Sequence, residues 1–156
     1  MSTTLSALPG VDSIDTPALV VDLDAMERNI ATMAAFCRQH QIAWRPHAKL
    51  HKSAELAQLL VQAGAVGACV QKTAEAEALV AGGVTDVYIS NEVVALPKLE
   101  RIARMARSLQ AQNGQIAIAV DSLEGIHRLA AALDVVGASM RVFVEIDVGQ
   151  NRCGVQ

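Results

Sequence analysis

Residues 53–90 read SAELAQLLVQAGAVGACVQKTAEAEALVAGGVTDVYIS, and two hydrophobic periods alternate within them. Ser53 has the side-chain acceptor that caps a helix, and the apolar positions after it recur at helical spacing up to Gly64. Val66 to Gln71 is then a short continuous apolar run, the pattern of a strand buried on both faces. Thr73, Glu75 and Glu77 open a second helix, where acidic groups complement the positive end of the helix dipole, and Gly82-Gly83 stops it before a second strand, Asp86 to Ser90. Helix, strand, helix and strand with short connections require parallel strands.

The rhythm extends in both directions. Toward the C-terminus it predicts a helix from Leu96 to Gln112 with Pro97 in its first turn, a strand from Ile116 to Asp121, a helix from Leu123 to Leu133 capped by Ser122, and a strand from Met140 to Asp147. Toward the N-terminus, Ile42 to Ala48 reads as extended. Asp24 caps a helix through Gln39 that carries Met26, Ile30, Met33 and Ala34 at helical spacing, and the run Ala18 to Asp22 after Pro17 reads as a buried strand. Residues 1–16 are polar and form an N-terminal segment, leaving residues 17–156 for the regular fold. The class is α/β, and a repeated βα unit belongs either to a doubly wound sheet or to a (β/α)8 barrel. A whole barrel takes about 250 residues, so on the barrel reading these residues are a partial one.

Composition narrows the function classes. The chain is 52% hydrophobic but only 3% aromatic, which suits helices packed on a buried aliphatic sheet. A net charge of -3 provides no footprint for nucleic acid or an anionic membrane. The opening MSTTLSALPGVDSIDTP has neither a basic region nor an apolar core of a secretory signal, and no stretch approaches the roughly 18 apolar residues of a membrane helix. Cys37, Cys69 and Cys153 are odd in number and widely spaced, so neither a disulfide framework nor a zinc site is expected, and a reducing cytoplasm is the simplest setting.

The chemistry concentrates in Arg45-Pro-His-Ala-Lys-Leu-His-Lys52, after the predicted extended segment. If extended throughout, it sets Arg45, His47, Lys49 and His51 on one face, a row too costly to bury without an anionic partner. A phosphate-bearing ligand at the C-terminal mouth of a barrel would supply that partner, with Arg45 among its contacts. Lys49, between two histidines, is the candidate for imine formation, since neighbouring cations and partial desolvation favour a neutral amine. Lys52 reads as an ordinary surface lysine. His47 and His51 have the four-residue spacing of helical metal ligands, but Pro46, the strand-like context and the absence of an HExxH pattern oppose that reading. Gly64-Ala-Val-Gly67 and Gly82-Gly83 are helix stops, not a dinucleotide fingerprint, and Glu75 and Glu77 are helix-start residues.

Three stretches together, Asp15-Thr-Pro-Ala-Leu-Val-Val-Asp-Leu-Asp24, Arg45 to Lys52 and Val148-Gly-Gln-Asn-Arg-Cys-Gly154, resemble the N-terminal, alanine racemase-like barrel of the D-threonine aldolase and D-serine dehydratase family. The resemblance spans residues 15–156. It implies an N-terminal part of a TIM barrel, pyridoxal 5'-phosphate as cofactor, Lys49 as its Schiff-base lysine, Arg152 near the phenolic oxygen and Gln71 beside the ring. His47 and His51 are then catalytic neighbours of Lys49. It also implies a small D-amino acid substrate, a homodimer, and a divalent metal held in a C-terminal β domain that these residues do not contain. No metal ligand is expected within residues 17–156. The implied reaction is that of a lyase, cleaving a β-hydroxy D-amino acid of the D-threonine or 3-hydroxy-D-aspartate type to glycine and an aldehyde or oxoacid. D-Serine dehydration is the alternative, and a non-catalytic cofactor-binding protein or an inactive fragment is the alternative of another class.

Overall fold

The computed structural model describes Gly10 and residues 13–156, so residues 1–9, 11 and 12 of the expected N-terminal segment lie outside it. Among the described residues nine elements follow in order: α1 (Leu23–Gln39), α2 (Ala54–Gln62), β1 (Ala68–Val70), α3 (Thr73–Ala81), β2 (Asp86–Ile89), α4 (Leu96–Gln110), β3 (Gln115–Val120), α5 (Leu123–Val136) and β4 (Arg141–Val144). The sequence signals act where they were read. Ser53 Oγ accepts the Leu56 N–H and Ser122 Oγ accepts the Gly125 N–H, so each satisfies an otherwise orphaned helical donor. Pro97 lies in the first turn of α4, and Gly137 ends α5 in the left-handed conformation.

The four strands are all parallel and lie in the order β1-β2-β3-β4. A doubly wound sheet reverses its strand order at a switch point, whereas a barrel adds each strand beside the last. The unreversed order therefore makes the sheet an arc of a barrel. The segment before β1 adds a short extended neighbour: Val66 N–H donates to Trp44 O (3.0 Å), Cys69 N–H to Pro46 O (2.8 Å) and Ala48 N–H to Cys69 O (2.7 Å).

Two expectations are corrected. Residues 18–22 form no strand, and Leu19, Val20 and Val21 are exposed. Their composition suits a strand, but a strand needs a partner for its backbone groups, and among the described residues none pairs with them. The cap of α1 is Asp22, which accepts the Ala25 N–H at 2.9 Å, and Asp24 instead lies in the first turn.

Strand alternation separates two faces. Ala48, Ala68, Val70, Val87, Ile89, Ile116, Ile118 and Val120 point to the helices and join Leu79, Leu99, Ile102 and Leu109 in one buried cluster. The opposite, inner face is layered, as in a packed barrel interior. Arg45, Asp86 and Gln115 occupy its N-terminal end. Tyr88 and Phe143 meet edge to face in the middle, with ring centroids 5.0 Å apart. At its C-terminal end lie His47, Ser90 and Glu145.

Candidate functional site

The C-terminal rim of the arc brings together residues far apart in sequence. His47 pairs in parallel register with Cys69 at the end of the extended segment, and its half-buried ring points along the inner face. His47 Nε2 is 3.3 Å from Ser90 Oγ, and Ser90 Oγ–H donates to Val70 O at 3.2 Å. On the other side of the ring, the backbone N–H of Lys49 donates to His47 Nδ1 at 3.3 Å. Gln71, one residue beyond β1, donates from Nε2 to Ser90 O at 3.3 Å. Glu75 Oε2 accepts the N–H groups of Gln71 and Lys72, and Glu75 Oε1 lies 3.5 Å from Lys52 Nζ. The loop carrying Gln71 is thus tied to the start of α3.

The Arg45–Lys52 stretch is not extended throughout. Lys52 N–H donates to Ala48 O at 2.8 Å, which closes a turn over residues 48–51 and ends the alternation at Ala48. The expected row of four cations on one face is therefore corrected. Lys49 sits exposed on the rim turn, next to His47. His51 is turned away from the rim. It lines a cavity of about 460 Å³ with Val20, Val21, Met26, Ile30 and Leu56, between α1 and α2. Its Nδ1 accepts the Ser53 N–H at 3.1 Å, and its buried Nε2 has no partner among the described residues.

Arg45 lies at the far end of the inner face. Its Nη1 forms an ion pair with Asp86 Oδ1 at 2.8 Å and approaches the Ala68 and Asp86 carbonyls at 3.5 and 3.4 Å, while Gln115 donates to the other Asp86 oxygen. Asp86 opens β2, so this is the N-terminal end of the strands, away from the rim where Lys49 stands.

A second group occupies the rim beyond β2 and β4. One ligand-type atom each from Glu92, Glu145 and Cys153 lies within 4.8 Å of the others, and Cys153 Sγ–H donates to Glu145 Oε1 at 3.0 Å. Burial first, and then the Glu145 carboxylate, raise the Glu92 pKa, whereas hydrogen bonding to Glu92 and then Cys153 lowers that of Glu145. Arg152 joins this group: its charge is stabilised first by Cys153 and then by Glu145 and Glu92. The loop holding Arg152 folds back through Asp147 Oδ1, which accepts the Gly149 and Asn151 N–H groups at 2.9 and 3.0 Å, and through the parallel pairing of Ile146 with Val155.

The His47 pKa is lowered, chiefly by burial and then by the Lys49 charge, with Glu75, Gln71 and Cys69 opposing. The His51 pKa is also lowered by burial. Both rings are therefore biased toward the neutral form, which accepts a proton at one nitrogen and donates at the other. Ser90, Glu92 and Glu145 are rim residues that the sequence reading did not single out. Their signal was positional, since each lies at or just after the C-terminal end of a strand, where barrel enzymes display functional groups.

Comparison with known proteins follows the same geometry. The family described as alanine racemase, N-terminal domain, matches residues 21–156. The chain is 42% identical over 154 residues to 3-hydroxy-D-aspartate aldolase of Paracoccus denitrificans, covering 97% of this chain and 39% of that protein. It is 35% identical over 145 residues to D-threo-3-hydroxyaspartate dehydratase of Delftia sp. (strain HT23), covering 92% of this chain and 36% of that protein. The crystal structure of D-threonine aldolase from Filomicrobium marinum superposes with a TM-score of 0.85 at 45% identity, over 92% of this chain and 37% of that one. The chain thus spans under two-fifths of the length of these relatives. With an unreversed parallel arc, a lysine on its C-terminal rim and a family match over residues 21–156, the chain belongs to the alanine racemase N-terminal domain family.

Proposed function

We propose that these residues are the cofactor-binding part of a pyridoxal 5'-phosphate-dependent lyase that cleaves a β-hydroxy D-amino acid to glycine and an aldehyde or oxoacid. The carrying observation is the placement of Lys49: its side chain is exposed on a rim turn, while its backbone is held by His47 on the inner face. The residues present fit the cofactor. A primary amine for covalent attachment, a neutral imidazole beside it, the Gln71 amide and the Arg152 guanidinium all lie on the C-terminal rim, where barrel enzymes bind phosphorylated ligands. When bound, the cofactor supplies the electron sink for the bond-breaking step at Cα.

The chain's own residues take the remaining roles. Lys49 would hold the cofactor covalently through its side-chain amine. His47, half-buried on the inner face, holds the backbone of Lys49, and Arg152 and Gln71 would hold the cofactor ring. Arg45 and His51 have structural roles instead, Arg45 in the Asp86 ion pair and His51 in the cavity between α1 and α2. The family resemblance further supports a division into residues 1–16 and a partial barrel over 17–156, a divalent metal carried by a C-terminal β domain, a homodimer and a cytoplasmic setting. No helix among the described residues is long and apolar enough to cross a membrane.

Higher identity to the two aldolases than to the dehydratase favours aldol cleavage over elimination of water. The test is incubation of the chain and of Lys49→Ala with pyridoxal phosphate, borohydride reduction and peptide mapping. Label on Lys49 in the wild type and its loss in the variant are expected. Equal labelling of both, or none, would overturn the assignment. Assay of the full-length protein with D-threonine then separates the reactions, since glycine signals cleavage and ammonia signals dehydration.

A further inference from the structure

We propose that Ser90 is a positioning residue that locks His47 in the tautomer with its proton on Nε2, and through that ring holds the backbone of Lys49. This deepens the reading of Lys49 as the cofactor lysine and rests on it for its functional meaning, although the hydrogen-bond chain stands on geometry alone.

The argument is one of donors and acceptors. The backbone N–H of Lys49 points at His47 Nδ1 at 3.3 Å, and a peptide N–H can only donate, so this contact forms only while Nδ1 offers its lone pair. In a neutral imidazole the remaining proton then resides on Nε2. Nε2 faces Ser90 Oγ at 3.3 Å, and a hydroxyl can accept there because its own hydrogen has another destination, Val70 O at 3.2 Å. The chain therefore runs in one direction, from Lys49 N–H through the ring and the Ser90 hydroxyl to a strand carbonyl. The opposite tautomer would set the Nδ1–H against the Lys49 N–H, and so would a protonated ring.

The serine is itself well held. Ser90 N–H donates to Val70 O at 2.9 Å, which continues the β1–β2 ladder, and Ser90 O accepts from Gln71 Nε2. Its hydroxyl thus projects from a rigid strand end, whereas Lys49 lies on a turn with no strand neighbour of its own. A fixed imidazole between them passes the rigidity of β2 to the lysine, the kind of support by which outer contacts orient a reacting group.

The test combines a spectroscopic and a chemical readout on the 156-residue chain at pH 8. A long-range proton–nitrogen correlation of the ring nitrogens of His47 is expected to show a protonated Nε2 and an unprotonated Nδ1. Ser90→Ala should average the two tautomers and weaken trapping of pyridoxal phosphate on Lys49 about fivefold to tenfold, while Ser90→Thr, which keeps the hydroxyl, should restore both. A wild-type ring protonated on Nδ1, or an unchanged tautomer in Ser90→Ala, overturns the proposal. If Ser90→Ala does not fold, the wild-type tautomer and the Ser90→Thr spectrum decide it. An Nε2-protonated ring in a chain that fails to label Lys49 overturns the cofactor reading and leaves the hydrogen-bond chain intact.

Discussion

Gly67 shows how one residue sets the N-terminal end of the inner face. Its φ of +153° is one that L side chains rarely adopt, and a Cβ there would overlap the Arg45 guanidinium and the Asp86 carbonyl. Gly67→Ala should cost about 1–3 kcal/mol of stability, read as a lower urea midpoint. Arg45→Ala should cost a similar amount, about 1.5–3 kcal/mol, because it removes a charged hydrogen bond and leaves the partly buried Asp86 without its cation. Trapping of cofactor on Lys49 should be unaffected by that variant under native conditions, and reduced labelling would restore Arg45 to the cofactor's contacts. His51 carries a pH prediction. Its folded pKa, like that of His47, lies below the ordinary value of 6.5, so the unfolded chain binds more protons as pH falls through that value. The corresponding stability is fully present above pH 6.5 and is lost as pH falls through the lower folded values. In His51→Leu the urea midpoint should decline less between pH 7 and pH 5 than in the wild type, whereas an equal decline would mean that His51 is not a source of the acid sensitivity.

At the scale of elements, caps and glycine stops were legible because they act locally: Ser53, Ser122, Pro97 and Gly82 each do their work within one turn. Ser122→Ala should lower stability by about 1 kcal/mol and Ser122→Asp should recover most of it, measured by thermal or urea unfolding, since α5 packs on α4 and its first turn depends on that hydroxyl. The Arg45–Lys52 stretch was harder to read. Its alternation of cationic and apolar residues matches a strand, but the Lys52 N–H to Ala48 O bond converts its second half to a turn. Residue type announced chemistry at Lys49 and His47, but the turn decided which of Arg45, His47, Lys49 and His51 stand together.

For the whole molecule, the exposure of apolar residues is the dominant physical fact. Leu19, Val20 and Val21, ahead of α1, are exposed, and so are Val142, Phe143, Val144, Ile146 and Val148 at the β4 end of the arc, where β4 is hydrogen-bonded only to β3 among the described strands. An unpaired apolar strand edge associates readily. The 156-residue chain should therefore show concentration-dependent association in sedimentation velocity and bind a hydrophobic dye, and Phe143→Lys should reduce both. A compact monomer at high concentration without dye binding would count against this. The parallel βα class, the two caps and the singular chemistry around Lys49 were determined by the sequence itself, because periodicity, capping and side-chain chemistry are properties of neighbours in the chain. The tertiary structure alone decided that the sheet is an unreversed arc, that Ser90 reaches His47 across 43 positions, that Glu92 and Glu145 share a site, and that Arg45 belongs to the opposite end from Lys49. Those relations depend on which strands lie side by side, and strand register is set by packing across the sheet rather than by any local run of residues.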